Sequence, residues 1–133
     1  MAKTATERLN DKKHPKKVVL EKDFAGIKAG TRMLVGTPQM IDNYVRKIPF
    51  GETRGIARLR NELARRHRCE AMCPVSTAIF LRVVADAALE SLEGGADIAE
   101  ITPFWRAVGP DDKLVKKLDV DSAWIEHQRS LER

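Results

Sequence analysis

The sequence predicts a mainly α-helical single domain of winged helix-turn-helix type, with one or two short strands. Three observations support this fold class. A chain of 133 residues has the length of one domain. Apolar residues recur at helical spacing in four separate segments. Two of these segments, 54–66 and 76–92, are joined by a short connector that ends in Pro74, which is the arrangement of a helix-turn-helix.

Composition and charge favour a polyanionic partner. The hydrophobic share of 43% is enough for one core, and the formal charge of +5 makes the chain basic. No stretch approaches the roughly 20 apolar residues that span a bilayer, and the N-terminus lacks the apolar core of a signal peptide. Two cysteines do not make a disulfide framework. These features predict a cytoplasmic protein with reduced thiols and no membrane partner.

The N-terminal third contains few helical signals. Residues 1–17 are polar and rich in lysine, and we predict a disordered basic arm there, followed by one domain over residues 18–133. The arm is either a solvated tail or a segment that contacts phosphates. In residues 18–36 short apolar pieces alternate with glycines, and Met33–Val35 is the best candidate for a strand.

Capping residues and apolar spacing predict three helices in the middle of the chain. Thr37 and Pro38 open the first helix well, and Pro49 and Gly51 end it. Thr53 can cap the second helix, which carries many arginines. The third helix, near 76–92, is the strongest, with a wide apolar stripe formed by Ile79, Phe80, Val83, Val84, Ala87 and Ala88.

The C-terminal third is less regular. Residues 96–118 contain a Gly109-Pro110-Asp111-Asp112 turn signal, and a loop with a small hairpin in this segment would occupy the position of a wing. A last helix over 121–132 begins at Asp121 or Ser122 and has a loose apolar side that includes Trp124 and Ile125.

The arginines of residues 54–68 are the strongest functional signal. Six arginines stand against the single acidic residue Glu62, which is more positive charge than a solvated helix face requires. Each exposed arginine can neutralise a phosphate, so the segment favours nucleic-acid binding, with a plain solvated surface as the alternative. The predicted DNA contacts are Thr53, Arg54, Arg58, Arg60, Ser76, Thr77, Arg82 and Arg106.

A second unusual feature is the segment Ile101–Arg106, which holds two adjacent aromatic residues and an arginine after a proline. Such a loop can line an aromatic pocket that holds a flipped base by stacking. The alternative is that Phe104 and Trp105 belong to the core.

Two chemical alternatives involve the cysteines. His67, Cys69 and Cys73 supply at most three zinc ligands, and a fourth would have to come from His14, His127 or a carboxylate, so two ordinary reduced cysteines are favoured. Cys73 precedes Pro74 at a helix start, where a thiol can be activated as a nucleophile, but a small buried side chain is the favoured interpretation. No motif predicts a cofactor or a metal.

The order of these motifs resembles the DNA-binding domain of alkylguanine-DNA alkyltransferases and, more closely, the small bacterial alkyltransferase-like proteins. The resemblance covers about residues 37–131. Ile48-Pro49-Phe50-Gly51 resembles the family's Ile-Pro-Tyr-Gly entry to its helix-turn-helix. Pro103-Phe104-Trp105-Arg106 resembles the Pro-Cys-His-Arg active-site loop. Phe104 therefore stands where the family has its alkyl-accepting cysteine.

The resemblance implies a DNA-binding protein without alkyl transfer, because the acceptor thiol is absent. The family's arginine finger aligns near Ile79 and its nucleotide-rotating tyrosine near Ile56, so both are missing here. The resemblance implies a non-catalytic protein that senses alkylated guanine for DNA repair, with a remnant pocket formed by Pro103, Phe104, Trp105 and Cys73. A thiol enzyme using Cys73 and a protein-interaction module on the same fold are the alternatives.

Overall fold

A computed structural model describes residues 4–133 as five α-helices around one core with a small three-stranded sheet. The predicted mainly α-helical domain with few short strands is confirmed. The helices are α1 (Ala5–Asn10), α2 (Pro38–Arg46), α3 (Ile56–Arg66), α4 (Pro74–Glu93) and α5 (Ser122–Leu131), and the strands are β1 (Lys16–Val19), β2 (Arg32–Val35) and β3 (Ala71–Met72). None of the helices between residues 4 and 133 has the length and apolar character that a membrane crossing needs.

The predicted disorder of residues 1–17 is wrong over most of the arm, while residues 1–3 lie outside the described residues. α1 begins with a capping box in which Thr4 and Glu7 exchange hydrogen bonds, and it packs against α4. β1 follows as an edge strand that pairs antiparallel with β2, with Lys17 opposite Leu34. The lysine-rich arm is therefore part of the fold.

The sheet joins the N-terminal third to the helix pair α3 and α4. β2 also pairs in parallel with β3, so that Leu34 is opposite Met72. Both of these side chains are buried in the core. Since β3 occupies the connector between α3 and α4, this pairing fixes the positions of the two helix ends that flank it.

Local sequence accounts for the ends of α2 and α4. The Thr37 hydroxyl accepts a hydrogen bond from the Met40 amide (3.1 Å), and Pro38 occupies the first turn of α2. Pro74 starts α4, and Gly94 ends it. The predicted cap of α3 is wrong, because its N-cap is Gly55, which has no side chain to bond the free amides.

The core surrounds α4. Its buried residues include Leu81, Val84 and Ala88, and the segment after α4 folds back over them as a 3₁₀ helix at Phe104–Arg106. The predicted wing hairpin in 96–118 is wrong: the described secondary structure there consists of that 3₁₀ helix and a second one at Lys113–Lys117. Short 3₁₀ turns allow this segment to bury Phe104, Trp105 and Val115 in close succession.

Candidate nucleic-acid interface

The outward side of α3 is basic. Leu59, Leu63 and Ala64 face the core, which places Arg58 and Arg65, two turns apart, on the opposite side. Arg58, Arg65, Arg66 and Arg68 are all exposed. The structure therefore presents most of the predicted arginine run to solvent.

A carboxylate at the edge of this surface is already engaged. Glu62 accepts a hydrogen bond from the Tyr44 hydroxyl (2.5 Å) and another from Arg58 Nε (2.9 Å). These two hydrogen bonds hold the pKa of Glu62 below its usual range. Burial, reinforced by the bond to Glu62, raises the pKa of Tyr44 to about 12. Glu62 thus stays charged and neutralises Arg58 in part, while Arg65 and Arg68 extend the positive surface beyond it.

Two further predicted contacts in the arginine run, Arg54 and Arg60, are less accessible. Arg54 and Arg60 are half-buried, and the Nε atom of each is buried without a hydrogen-bond partner among the described residues. The Arg54 amide donates to the Arg106 carbonyl (2.8 Å), which ties the start of α3 to the 3₁₀ helix. Thr53 is exposed in the irregular segment that precedes α3.

The first turn of α4 differs from the prediction. Thr77 is fully buried, and its hydroxyl donates to the Cys73 carbonyl (2.6 Å), so the predicted groove contact by Thr77 is wrong. Ser76 is only partly exposed, and its hydroxyl oxygen is buried. The large apolar side chains exposed near the start of α4 are Val75, in the first turn, and Ile79, one turn later, both at least half exposed. Ile79 was expected in the apolar stripe of the core.

Arg82 lies one turn after Ile79 on α4. Its side chain is half exposed, and its Nε is 3.4 Å from Asp86 Oδ2. Burial raises the pKa of Asp86, although the charge and the hydrogen bond of Arg82 oppose that increase. Arg82 is thus a half-exposed surface cation that is ion-paired with Asp86.

Phe104 does not line an open pocket. Its side chain is 0% exposed, its ring stacks on Trp124 with centroids 5.6 Å apart, and the Trp105 ring meets it edge-on. Cys73 is also buried, with its sulfur accepting a hydrogen bond from the Ser76 amide (3.5 Å). The predicted remnant pocket is therefore wrong for these two residues, because the packing of the core occupies both side chains.

Arg106 is a structural residue rather than a surface contact. Its Nε and Nη2 donate to the two carboxylate oxygens of Glu132 (2.8 and 3.0 Å), and its Nη1 donates to the Ile48 carbonyl (2.9 Å). Only 14% of the Arg106 side chain is exposed. The predicted DNA contact by Arg106 is wrong, because Glu132 already neutralises the guanidinium.

The sequence did not predict a role for Glu132. Glu132 also accepts hydrogen bonds from Trp105 Nε1 (2.8 Å) and from the Gly51 amide (3.2 Å). A largely buried arginine such as Arg106 needs an anionic partner. The sequence contains many acidic residues, and no local signal selects Glu132 among them. Through Glu132, the two segments that carry the family resemblance, 48–51 and 103–106, meet in space.

A surface groove lies beside this junction, with a volume of about 380 Å³. Pro103, Trp105 and Arg106 form part of its floor, and the exposed side chains of Phe50 and Leu131 stand at its edges. Two members of the predicted remnant pocket, Pro103 and Trp105, therefore line an open groove, although Phe104 and Cys73 do not.

The geometry favours neither thiol chemistry nor a zinc site. Both cysteines are buried and unpaired as disulfides, and Cys69 contacts the His67 carbonyl (3.6 Å). Within residues 4–133 no group of three or more histidine, cysteine or acidic side chains is arranged to hold a metal ion.

Comparison with protein-family models, with curated proteins and with solved structures finds no match to this chain.

Proposed function

We propose that this protein is a non-catalytic DNA-binding protein that contacts duplex phosphates through α3 and the first turn of α4. The exposed, outward-facing arginines of α3 carry the proposal. Arg58 and Arg65 project from the same side of the helix, and Arg68 continues the positive surface past its end. Surplus arginine on an exposed helix is the electrostatic footprint expected of phosphate binding.

The start of α4 also presents exposed side chains to a DNA partner. Val75 and Ile79 project from it, and Arg82 follows on the same helix. Many proteins that bind the minor groove insert apolar side chains such as isoleucine between base steps and use arginine and lysine in the groove itself. Ser76 and Thr77 are too buried to make such contacts, so the proposed footprint replaces them with Val75 and Ile79.

A non-catalytic role is consistent with the positions of the reactive groups. Both thiols are buried, and the residue at the family's acceptor position, Phe104, is enclosed by the core. The resemblance to alkyltransferase-like proteins adds a narrower prediction, which is preferential binding to duplexes that contain an alkylated guanine.

Salt-dependent binding tests the proposal. Fluorescence anisotropy with labelled duplexes, with and without an alkylated guanine, gives the dissociation constant at several salt concentrations. Arg65→Ala should weaken binding to both duplexes and reduce the slope of log K against log salt by about one. Arg58→Ala should act in the same direction but less strongly, because Glu62 neutralises part of the Arg58 charge. The charge-matched control is Lys116→Ala, which removes an exposed cation from the second 3₁₀ helix.

Two results would contradict the proposal. One is the absence of binding to any duplex at low salt. The other is an identical salt slope for Arg65→Ala and Lys116→Ala, because α3 would then contribute no more than general surface charge. Equal affinity for both duplexes would remove only the narrower prediction of lesion recognition.

A further inference from the structure

The first strand leaves one edge of the sheet open. β1 is the outer strand in the order β1-β2-β3, so only one of its two edges is paired within residues 4–133. All four of its residues are exposed. An exposed edge strand offers a row of free amide and carbonyl groups to which another extended chain can add.

A hydrogen bond at the end of β1 identifies which backbone groups are free. The Leu20 amide donates to the Thr31 carbonyl (3.0 Å), so the backbone groups of Leu20 point toward the chain that enters β2. Backbone groups alternate in direction along an antiparallel strand. The amides and carbonyls of Lys17 and Val19 therefore point away from β2, toward the open edge.

The other side of β2 agrees with this alternation. The carbonyls of Arg32 and Leu34 accept hydrogen bonds from amides of the β3 segment (2.9 and 2.8 Å), so their backbone groups point away from β1. Val19 and Lys17 are their partners in the antiparallel register. Residues opposite each other in such a pair either both bond across the ladder or both face away from it. Val19 and Lys17 consequently belong to the outward set.

Each face of β1 carries one lysine and one valine. Side chains alternate between the faces, so Lys16 lies beside Val18 and Lys17 beside Val19. The two valines are 41% and 62% exposed. In the part of the chain that the structure describes, neither lysine makes an ion pair. A strand added to this edge would therefore meet two neighbouring cations followed by two β-branched apolar side chains.

The charge around β1 favours an acidic partner over a second copy of this chain. Residues 12–32 carry seven lysine or arginine side chains against two acidic ones. One of the two, Asp23, is bonded to the Ala29 amide inside the hairpin (2.8 Å). Pairing of two β1 strands would bring four lysines together in one short ribbon, and lysine is a residue by which edge strands avoid one another. An acidic strand would instead place an opposite charge beside each lysine.

Duplex DNA fits this edge less well than a protein strand does. Phosphates would contact the lysines but leave the exposed Val18 and Val19 side chains in water. β1 is also at the opposite edge of the sheet from β3, which adjoins the basic helix α3. The edge is therefore separate from the proposed DNA surface.

We infer that β1 binds an acidic extended segment of a partner protein, which adds to the sheet as a fourth strand. The segment would carry two neighbouring acidic residues opposite Lys16 and Lys17, and two neighbouring apolar residues opposite Val18 and Val19. This inference does not rest on the proposed DNA binding.

The probe is a fluorescent peptide with the central sequence Val-Ile-Glu-Glu, which matches β1 in the antiparallel direction. Fluorescence anisotropy should show that the matched peptide with Val-Ile-Lys-Lys binds about tenfold more weakly, because two cross-strand pairs change from attraction to repulsion. Strand addition should also slow hydrogen exchange at the outward amides of Lys17 and Val19 at least tenfold.

Two variants separate strand addition from simple charge attraction. Val19→Pro removes one outward amide without removing a bond to β2, since proline is tolerated where the amide of an edge strand faces solvent. It should weaken peptide binding at least tenfold, while thermal unfolding and DNA binding stay as in wild type. Lys16→Glu/Lys17→Glu should reverse the preference, so that the Lys-Lys peptide binds more tightly than the Glu-Glu peptide. The matched control is Lys116→Glu/Lys117→Glu, an exposed pair on the second 3₁₀ helix, which should keep the wild-type preference.

Several outcomes would overturn the inference. One is the absence of any preference for the Glu-Glu peptide, and another is peptide binding that leaves the Lys17 and Val19 amides unprotected. Weaker duplex binding in Lys16→Glu/Lys17→Glu, without peptide binding in wild type, would assign the edge to DNA. A wild-type dimer that Val19→Pro dissociates would assign it to a second copy of the chain. Arg65→Ala, which tests the proposed DNA binding, should bind the peptide as wild type does, so the two proposals can fail separately.

Discussion

The Glu132 carboxylate connects two separate segments of the chain to the end of α5. Its carboxylate joins the turn at Gly51, the indole of Trp105 and the guanidinium of Arg106 to the end of α5. Burial acts to raise the pKa of Glu132, but the hydrogen bonds from Arg106, Trp105 and Gly51 outweigh it, so the pKa lies below its usual range. The charged form is therefore part of the folded structure.

Glu132→Gln should lower the free energy of unfolding at neutral pH by about 2–3 kcal/mol, because it leaves the Arg106 guanidinium without its ionic partner in a largely buried position. Urea denaturation measures this value. Glu126→Gln on the same helix is the control: its carboxylate is half exposed, and its ion pair with Arg133 should contribute less than about 1 kcal/mol. Equal losses in the two variants would contradict a structural role for Glu132.

The difference in free energy of unfolding between wild type and Glu132→Gln should change with pH in one direction only. A carboxyl group whose folded-state pKa is lowered stabilises the protein fully above its unfolded pKa, about 4.3, and loses that contribution as the pH falls through the folded value. The stability gap between wild type and Glu132→Gln should therefore be constant near neutrality and shrink below about pH 4.3. A gap that widened on acidification would be inconsistent with this interpretation.

At the scale of elements, α1 shows how a short helix is held by a distant residue. Six residues are too few for a stable isolated helix. Glu90 on α4 accepts hydrogen bonds from the Ala5 amide (3.0 Å), the Thr6 amide (2.9 Å) and the Thr6 hydroxyl (2.7 Å). These contacts place a negative charge at the N-terminus of α1, where the helix dipole favours it.

Glu90→Gln should release α1 without unfolding the domain. Hydrogen exchange at the amides of α1 should become faster, while the amides of α4 remain protected, because the contacts of Glu90 are exposed and contribute only about 1 kcal/mol or less. Glu93→Gln, an exposed position at the end of α4, is the control. The hydrogen bonds from Thr6 lower the pKa of Glu90, so wild-type α1 should also loosen as the pH falls through that lowered value.

The elements that sequence could predict are those whose signals are local. Thr37-Pro38 and Gly94 mark helix ends, and the periodic apolar residues of α2 to α5 identify their buried faces apart from the exposed Ile79 of α4. α1 could not be predicted, because its main stabilising partner, Glu90, lies 84 residues away. β1 was missed because a Lys-Lys-Val-Val edge strand carries no alternating pattern, and its pairing with β2 is a tertiary property.

In the candidate site, too, the features set by local sequence were predictable and those set by tertiary contacts were not. The exposed arginines of α3 were predictable from their excess over acidic residues. The burial of Arg106 and Thr77 was not predictable. It depends on the ion pair with Glu132 and on the packing of α4 against the segment 101–108. Phe50 was known only as part of a turn motif, since its exposure depends on how that turn meets α5.

Across the fold, the packing of the 3₁₀ helix Phe104–Arg106 against the core determines whether a thiol in this loop would be accessible to a substrate. Position 104 carries the family's acceptor cysteine in the resemblance, yet the Phe104 ring is enclosed by Trp105, Trp124 and the core residues beside α4. A thiol placed there would be as inaccessible as those of Cys69 and Cys73. Chemistry at this position therefore requires an opening of the core as well as a nucleophile.

Phe104→Cys should accordingly gain no alkyl transfer from a duplex containing an alkylated guanine. Its thiol should react with a soluble disulfide reagent only when the protein unfolds, and the lost ring should lower the free energy of unfolding by about 3 kcal/mol or more. Phe50→Cys, at a side chain that is 70% exposed, is the control and should react at once in the native state, above the wild-type background of two buried cysteines. Rapid native-state labelling at position 104, comparable with that at position 50, would mean that the loop opens to solvent and that a base could reach it.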